Sequence, residues 1–264
     1  MIKLIINADD FGKAENCTAA IIESLCKGLI TNTTFMVSMP SSQKAAAEAL
    51  KLRLEDRIGL HLNFSQGRPL THAMRQCRLF CDEEGCFNQS FCTGVIRSWI
   101  PFSKQEAQIV YDETIAQMKK YFEFGFTVPH VDSHHHMHMV PRMMESVCAA
   151  ARAMGFRSVR RPLNLRNLLK FRSKAYYPLL YRYAEKVIEQ NGLLTTDFMG
   201  DFAGCSAGLV KIPDAAVLEM MVHPMYDESG QLVDARKWSM YDISEWVVKH
   251  SAELRLKNFN EFNT

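Results

Sequence analysis

The sequence predicts an α/β fold on a parallel sheet, one barrel or layered domain, and three observations lead there. Short runs of strand formers alternate with helix-period segments along most of the chain. Reactive residues fall at the C-terminal ends of those runs, where α/β barrels carry their sites. The length, 264 residues, is ordinary for one such domain and sufficient for a substantial core.

The first run, Lys3-Leu4-Ile5-Ile6-Asn7-Ala8, delivers Asp9-Asp10-Phe11-Gly12 at its end. Ala19, Ile21, Ile22, Leu25 and Cys26 then predict a helix over 15–27, closed by Gly28. A β-rich run over 31–38 precedes a helix over 43–54. The third strand, over 57–64, is apolar or small except for His61. Residues 65 to about 103 break the rhythm with glycines, prolines and Cys77, Cys81, Cys86 and Cys92. That stretch reads as an insertion or lid within a single domain spanning 1–264. Ser103-Lys104-Gln105-Glu106 has the form of a capping box and opens a helix to about 124.

A strand over 127–131 leads into the histidine cluster, and Pro141 starts a helix that runs to 154. A strand over 156–160 is followed by a basic helical text over 163–190, with Arg166, Lys170, Arg172 and Lys174 close together. These read as a solvated helix face, the alternative being contact with an anionic substrate. A strand-like piece over 195–200, a loop over 200–208 and a strand over 217–222 ending on His223-Pro224 come next. A helix over 238–256 and a frayed end over 258–264 complete the chain.

Apolar residues at 47% and charged residues at 23% are normal globular usage and exclude disorder. A net charge of +2 gives no electrostatic footprint for nucleic acid. No stretch has the length of a membrane span, and the first residues lack the form of a signal peptide, so a cytoplasmic protein is expected. The clustered cysteines lack paired C-x-x-C knuckles, which favours reduced, unliganded thiols over a second zinc.

His130-Val131-Asp132-Ser133-His134-His135-His136-Met137-His138 packs five histidines and a carboxylate into nine residues, which no ordinary structural requirement demands. Such a cluster is what a divalent metal or a proton relay requires. Barrel-like closure would bring it together with Asp9, Asp10, His61 and His223. One carboxylate and two imidazoles leave open positions on a metal, a catalytic rather than a structural pattern. Of two adjacent aspartates, one can ligate and the other act as base; alternatively, one merely caps a helix. His134 and His138 share a helix face, whereas His134, His136 and His138 share an extended one. Asp132 is the natural carboxylate to orient a ligand imidazole. Arg160 or Arg161, at another strand end, would orient Asp9, set against the plain reading of a surface arginine.

Taken together, Asn7-Ala8-Asp9-Asp10-Phe11-Gly12, Gly59-Leu60-His61-Leu62-Asn63, the histidine cluster and His223-Pro224 make the chain resemble the YdjC-like carbohydrate deacetylases, which include the chitooligosaccharide deacetylases. The resemblance implies a distorted (β/α) barrel similar to polysaccharide deacetylases. It implies metal-dependent removal of an N-acetyl group from an amino sugar, with Mg2+ the usual metal; softness would instead favour Zn2+ or another transition ion. By motif, Asp10, His61 and His134 would be the ligands, Asp9 the base and His223 the general acid, with Asp132, His138 and Arg160 supporting them or the substrate. Phosphorylated oligosaccharides and a homodimer are further expectations. A metal phosphoesterase or a non-catalytic, metal-loaded carbohydrate sensor are the competing readings.

Overall fold

The computed structural model describes residues 1–88, 100–165 and 176–262. Arg166, Lys170, Arg172, Lys174 and Cys92 lie outside them.

A curled parallel sheet is wrapped by helices. Its strands are β1 (Ile2–Phe11), β2 (Asn32–Phe35), β3 (Ile58–Leu62), β4 (His130–Ser133), β5 (Ser158–Val159), β6 (Phe198–Asp201) and β7 (Val217–Val222). They lie in the order β5-β4-β3-β2-β1-β7-β6, and every pairing is parallel. Parallel neighbours need crossovers, which α1 (Glu15–Cys26), α2 (Ser42–Lys51), α3 (His72–Gln76), α4 (Lys104–Glu123), α5 (Pro141–Ala153) and α6 (Tyr176–Gln190) provide. The outer edges curl toward each other. Val159 N donates to Leu194 O at 3.0 Å, and Asn164 N and Leu165 N donate to Met199 O at 3.1 Å, giving a distorted barrel.

The capping box of α4 forms as the sequence predicts, Ser103 Oγ accepting from Glu106 N and Glu106 from Ser103 N. Five segments differ from expectation. The stretch read as a loop holds a short helix, α7 (Phe202–Gly208), in which Asp201 accepts from Gly204 N and the helix buries Phe202 and Cys205. After β7 the chain folds into a hairpin, β8 (Pro224–Tyr226) with β9 (Leu232–Asp234). The late helix, α8 (Met240–Lys249), stops early, and β10 (Leu254–Leu256) pairs with Ile2 to Leu4 of β1. β2 bonds β1 only from Asn7 onward, so β10 takes the sheet edge that β2 leaves open. The expected frayed end is instead α9 (Phe259–Phe262), anchored by a fully buried Phe259. Between β5 and α6, residues 163–165 are not helical.

The alternation of side chains along a strand explains the site. Ile2, Leu4, Ile6 and Ala8 join the main apolar core, while Ile5 joins a small separate cluster with Val128, Val217 and Phe259. Asn7 and Asp9 follow Ile5 on that second face. In β7, Leu218, Met220 and Val222 enter the main core, leaving Glu219 on the face of Val217. One end of this second face is therefore apolar, and toward the strand C-termini it becomes polar.

Candidate metal centre and active-site cavity

The pairing of β1 with β2 shifts register between Ala8 and Phe11, and Asp10 takes a left-handed backbone, φ 73°. This break in the pleat turns both adjacent aspartates into the site. Neither caps α1, whose N-cap is Ala14. Gly12 then turns at φ 81°, where a Cβ would stand 2.6 Å from the Phe35 ring, so only glycine fits.

Asp10 Oδ1 stands 2.7 Å from His134 Nδ1 and 3.4 Å from His61 Nε2. These three residues offer ligand atoms within 4.8 Å of one another. His61 Nε2 and the other nitrogen of His134 are buried without a hydrogen-bond partner, and Asp10 Oδ1 faces no polar group but the two imidazoles. Orphaned acceptors converging this closely are what a cation would satisfy, and the donor set of one carboxylate and two imidazoles suits a divalent ion. Lys13 Nζ donates to the other Asp10 oxygen at 3.0 Å.

Electrostatics agree with the geometry. Burial works against a charged His61, but Asp132 and Asp10 outweigh it and push the imidazole up to about 10. The position thus demands positive charge, from a proton or a metal. Burial also opposes ionisation of Asp10, and the two imidazoles outweigh it, holding the carboxyl below its ordinary value. His134 is shifted down, chiefly by burial, which keeps it neutral and able to ligate.

Behind this group lies a network around Arg160, which is 0% exposed and so not the surface arginine of the plain reading. Its Nη1 and Nη2 donate to the two Asp9 oxygens at 2.7 Å, Nη2 lies 2.7 Å from Asp132 Oδ2, and Nε donates to Glu219 Oε1 at 2.6 Å. Burial raises Asp9, but Arg160 outweighs it and holds the carboxyl below its ordinary value. Asn7 Nδ2 also donates to Asp9. Asp132 Oδ1 meets His61 Nδ1 at 2.6 Å and Thr34 Oγ1 donates to Asp132 Oδ2, so the His61 ring is turned with Nε2 toward Asp10.

The histidine cluster follows neither a helical nor an extended face. His135 and His136 both take φ 54°, which breaks both patterns, and the His134 and His135 rings stack with centroids 3.9 Å apart. His134 meets Asp10, the His135 ring nitrogen lies 3.0 Å from Ser65 Oγ, and His136 lines the cavity. His138 is turned away from the ligand group. Its Nδ1 lies 2.5 Å from Ser133 Oγ and its Nε2 3.1 Å from the Arg160 carbonyl, so it braces the chain that presents Arg160. His223 Nε2 stands 3.9 Å from Asp9 Oδ2, across a cavity of about 510 Å³ that also touches Lys13, Cys17 and Arg236. Asn7, Thr34, His130 and Glu219 also belong to the network; Asn7 and His130 stand in the motifs read from sequence without a role of their own, and Thr34 and Glu219 were not singled out. Glu219 carried a signal, as the one charge in an apolar strand. Cys77, Cys81 and Cys86 are free thiols apart from this centre.

A curled parallel sheet with a buried Asp-His-His group at its strand C-termini defines an α/β barrel protein with a metal-type centre. The chain belongs to the YdjC-like protein family, whose pattern matches residues 3–261. A carbohydrate deacetylase of Vibrio cholerae serotype O1 is 36% identical over 151 residues, which covers 57% of this chain and 56% of that protein. The match thus spans little more than half of the Vibrio relative's length. A carbohydrate deacetylase of Brevibacillus brevis is 27% identical over 96% of this chain and 93% of its own. A solved structure from Enterococcus faecalis V583, provisionally named for cellobiose-phosphate cleavage, superposes with a TM-score of 0.71. It shares 22% identity over 99% of this chain and 98% of its own, a likeness of fold.

Proposed function

We propose that this chain is a metal-dependent carbohydrate deacetylase, a hydrolase that removes an N-acetyl group from an amino sugar or chitooligosaccharide and releases acetate. The observation that carries the proposal is the placement of Asp9, locked to Arg160, beside the Asp10, His61 and His134 group in one cavity. The carbohydrate deacetylases among its relatives support the substrate class. In this reading residues 1–264 form one catalytic domain with an insertion or lid at about 65–103.

Asp10, His61 and His134 would hold the metal, which when bound supplies Lewis acidity that polarises a carbonyl oxygen and acidifies water. Two imidazoles suit Zn2+ or another transition ion by softness, and the family resemblance favours Mg2+. Asp9 is ionised but a weak base, so it takes a proton only from water that is already acidified. Asp132 keeps the His61 ring aligned, and His223, facing Asp9, delivers a proton to the departing amine.

The test is acetate release from N-acetylated chitooligosaccharides, free and 6-phosphorylated, by protein stripped and reloaded with magnesium, zinc, cobalt or manganese, beside Asp9→Asn. Metal-dependent acetate that disappears in the variant supports the reaction and the base together. Phosphate without acetate, or no turnover with metal bound, overturns it.

A further inference from the structure

Lys13 stands three residues after the carboxylate it touches, and the backbone puts it there. Asp10-Phe11-Gly12-Lys13 is a turn closed by Lys13 N donating to Asp10 O at 3.1 Å, with Gly12 at φ 81° in its third position. The turn brings the lysine side chain back over its own start, and Nζ donates to Asp10 Oδ2 at 3.0 Å. Asp10 Oδ1 is left facing His134 Nδ1 at 2.7 Å and His61 Nε2 at 3.4 Å. An ion pair at this spacing on an open surface would contribute little. Here both residues line the cavity, and the Asp10 side chain is only 12% exposed.

The neighbouring aspartate supplies the contrast. Arg160 donates to both oxygens of Asp9, whereas Lys13 takes one oxygen of Asp10. A carboxylate with two bare oxygens can grip a cation through both, and one whose second oxygen holds an ammonium offers the first alone. The two adjacent carboxylates thus differ in what their cations leave available.

We propose that Lys13 is a positioning residue of the metal centre: its ammonium holds Asp10 Oδ2, so that Asp10 presents a metal with Oδ1 alone and a coordination position stays open for water or the substrate carbonyl. This role rests on Asp10, His61 and His134 as the residues that hold the metal, and it adds how many atoms they present. A catalytic site takes three protein ligands and keeps a position open, whereas a fourth protein atom closes it in the manner of structural zinc. Lys13 keeps the centre on the open side of that division.

Lys13→Met removes the ammonium and keeps most of the apolar stem. The visible absorption band of a bound cobalt ion weakens as its coordination number rises, so the cobalt-loaded variant should show a weaker band than wild type. Lys13→Ala, which removes the stem as well, should weaken it in the same way. Cutting an ordinary brace loosens a metal. This change instead withdraws a nearby positive charge and frees an oxygen, so zinc should bind both variants about 10-fold more tightly by calorimetry. On the acetate assay, with metal saturating, kcat should fall by about 10- to 100-fold. A cobalt band unchanged in both variants, or weaker zinc binding in them, overturns the role of Lys13 and leaves the metal centre standing. A wild type that takes up neither cobalt nor zinc removes the centre and the role of Lys13 with it. If cobalt binds and no acetate is released, the spectra still decide for or against Lys13, and only the deacetylase reading falls.

Discussion

Arg160 grips Asp9 with both terminal nitrogens, each 2.7 Å from its own carboxylate oxygen, in a pocket where the arginine has no solvent exposure. A planar fork meeting a planar carboxylate is geometry that lysine cannot reproduce. The same guanidinium reaches Asp132, and through Asp132 it bears on the His61 ring. The residue named for the base and the residue that orients a ligand histidine therefore share one cation.

Replacing that fork should separate charge from geometry. Arg160→Lys keeps one positive charge but cannot serve Asp9 and Asp132 together, so acetate turnover should fall by about 10- to 100-fold. Arg160→Met leaves buried carboxylates without a partner and should cost about 3–5 kcal/mol in urea unfolding. A Met variant as stable as wild type would show that the network carries no such charge.

Asp132 should act on the metal without touching it. Asp132→Asn weakens the partner of His61 Nδ1, and zinc affinity by calorimetry should fall by about 10- to 100-fold with the circular dichroism spectrum unchanged. Unaltered affinity would mean that the ring is held by packing alone.

Acid should unfold the metal-free protein through its aspartates. Burial raises Asp9 and Asp10, yet Arg160 and the two imidazoles hold both below the ordinary 3.8. A depressed folded-state value stabilises fully above the unfolded value and is lost as pH falls through it toward the folded one. Urea midpoints should therefore drop between about pH 5 and pH 3, and less steeply in Asp9→Asn. Parallel profiles for wild type and variant would remove Asp9 from the account.

The end of the chain should matter to the barrel. Phe259 is fully buried, stacks on His130 with ring centroids 3.4 Å apart, and packs with Ile5, Val128 and Val217. Phe259→Ala should cost about 3–5 kcal/mol, read as a lowered urea midpoint. A loss no larger than that of a surface change would restore the frayed tail.

Polar residues interrupting apolar runs were readable because a strand end is a local signal. Asp9, Asp10, His61 and His223 were placed on that basis, and the curled sheet brings them to one cavity. The choice among the histidines was not readable. It depends on two consecutive left-handed residues, His135 and His136, which no propensity encodes. Arg160 looked like any strand-end arginine, since its burial comes from carboxylates on β1, β4 and β7 that are far away in sequence. β10 and α9 were missed for a related reason: three residues beside β1 and one turn over His130 exist through their tertiary partners. α7 hid in glycine and alanine, and its start rests on one Asp201 contact.

The pairing of β10 with β1 joins residues 254–256 to residues 2–4. Synthesis proceeds from the N-terminal end, so the central strand emerges long before β10 and keeps part of one edge unpaired until residues 254–256 have followed it. An open edge is a template for other chains, and closing it over so long a separation is slow. The nascent barrel is thus exposed to misassociation until β10 docks, and a chaperone that shields β1 would act at the stage where this fold is weakest.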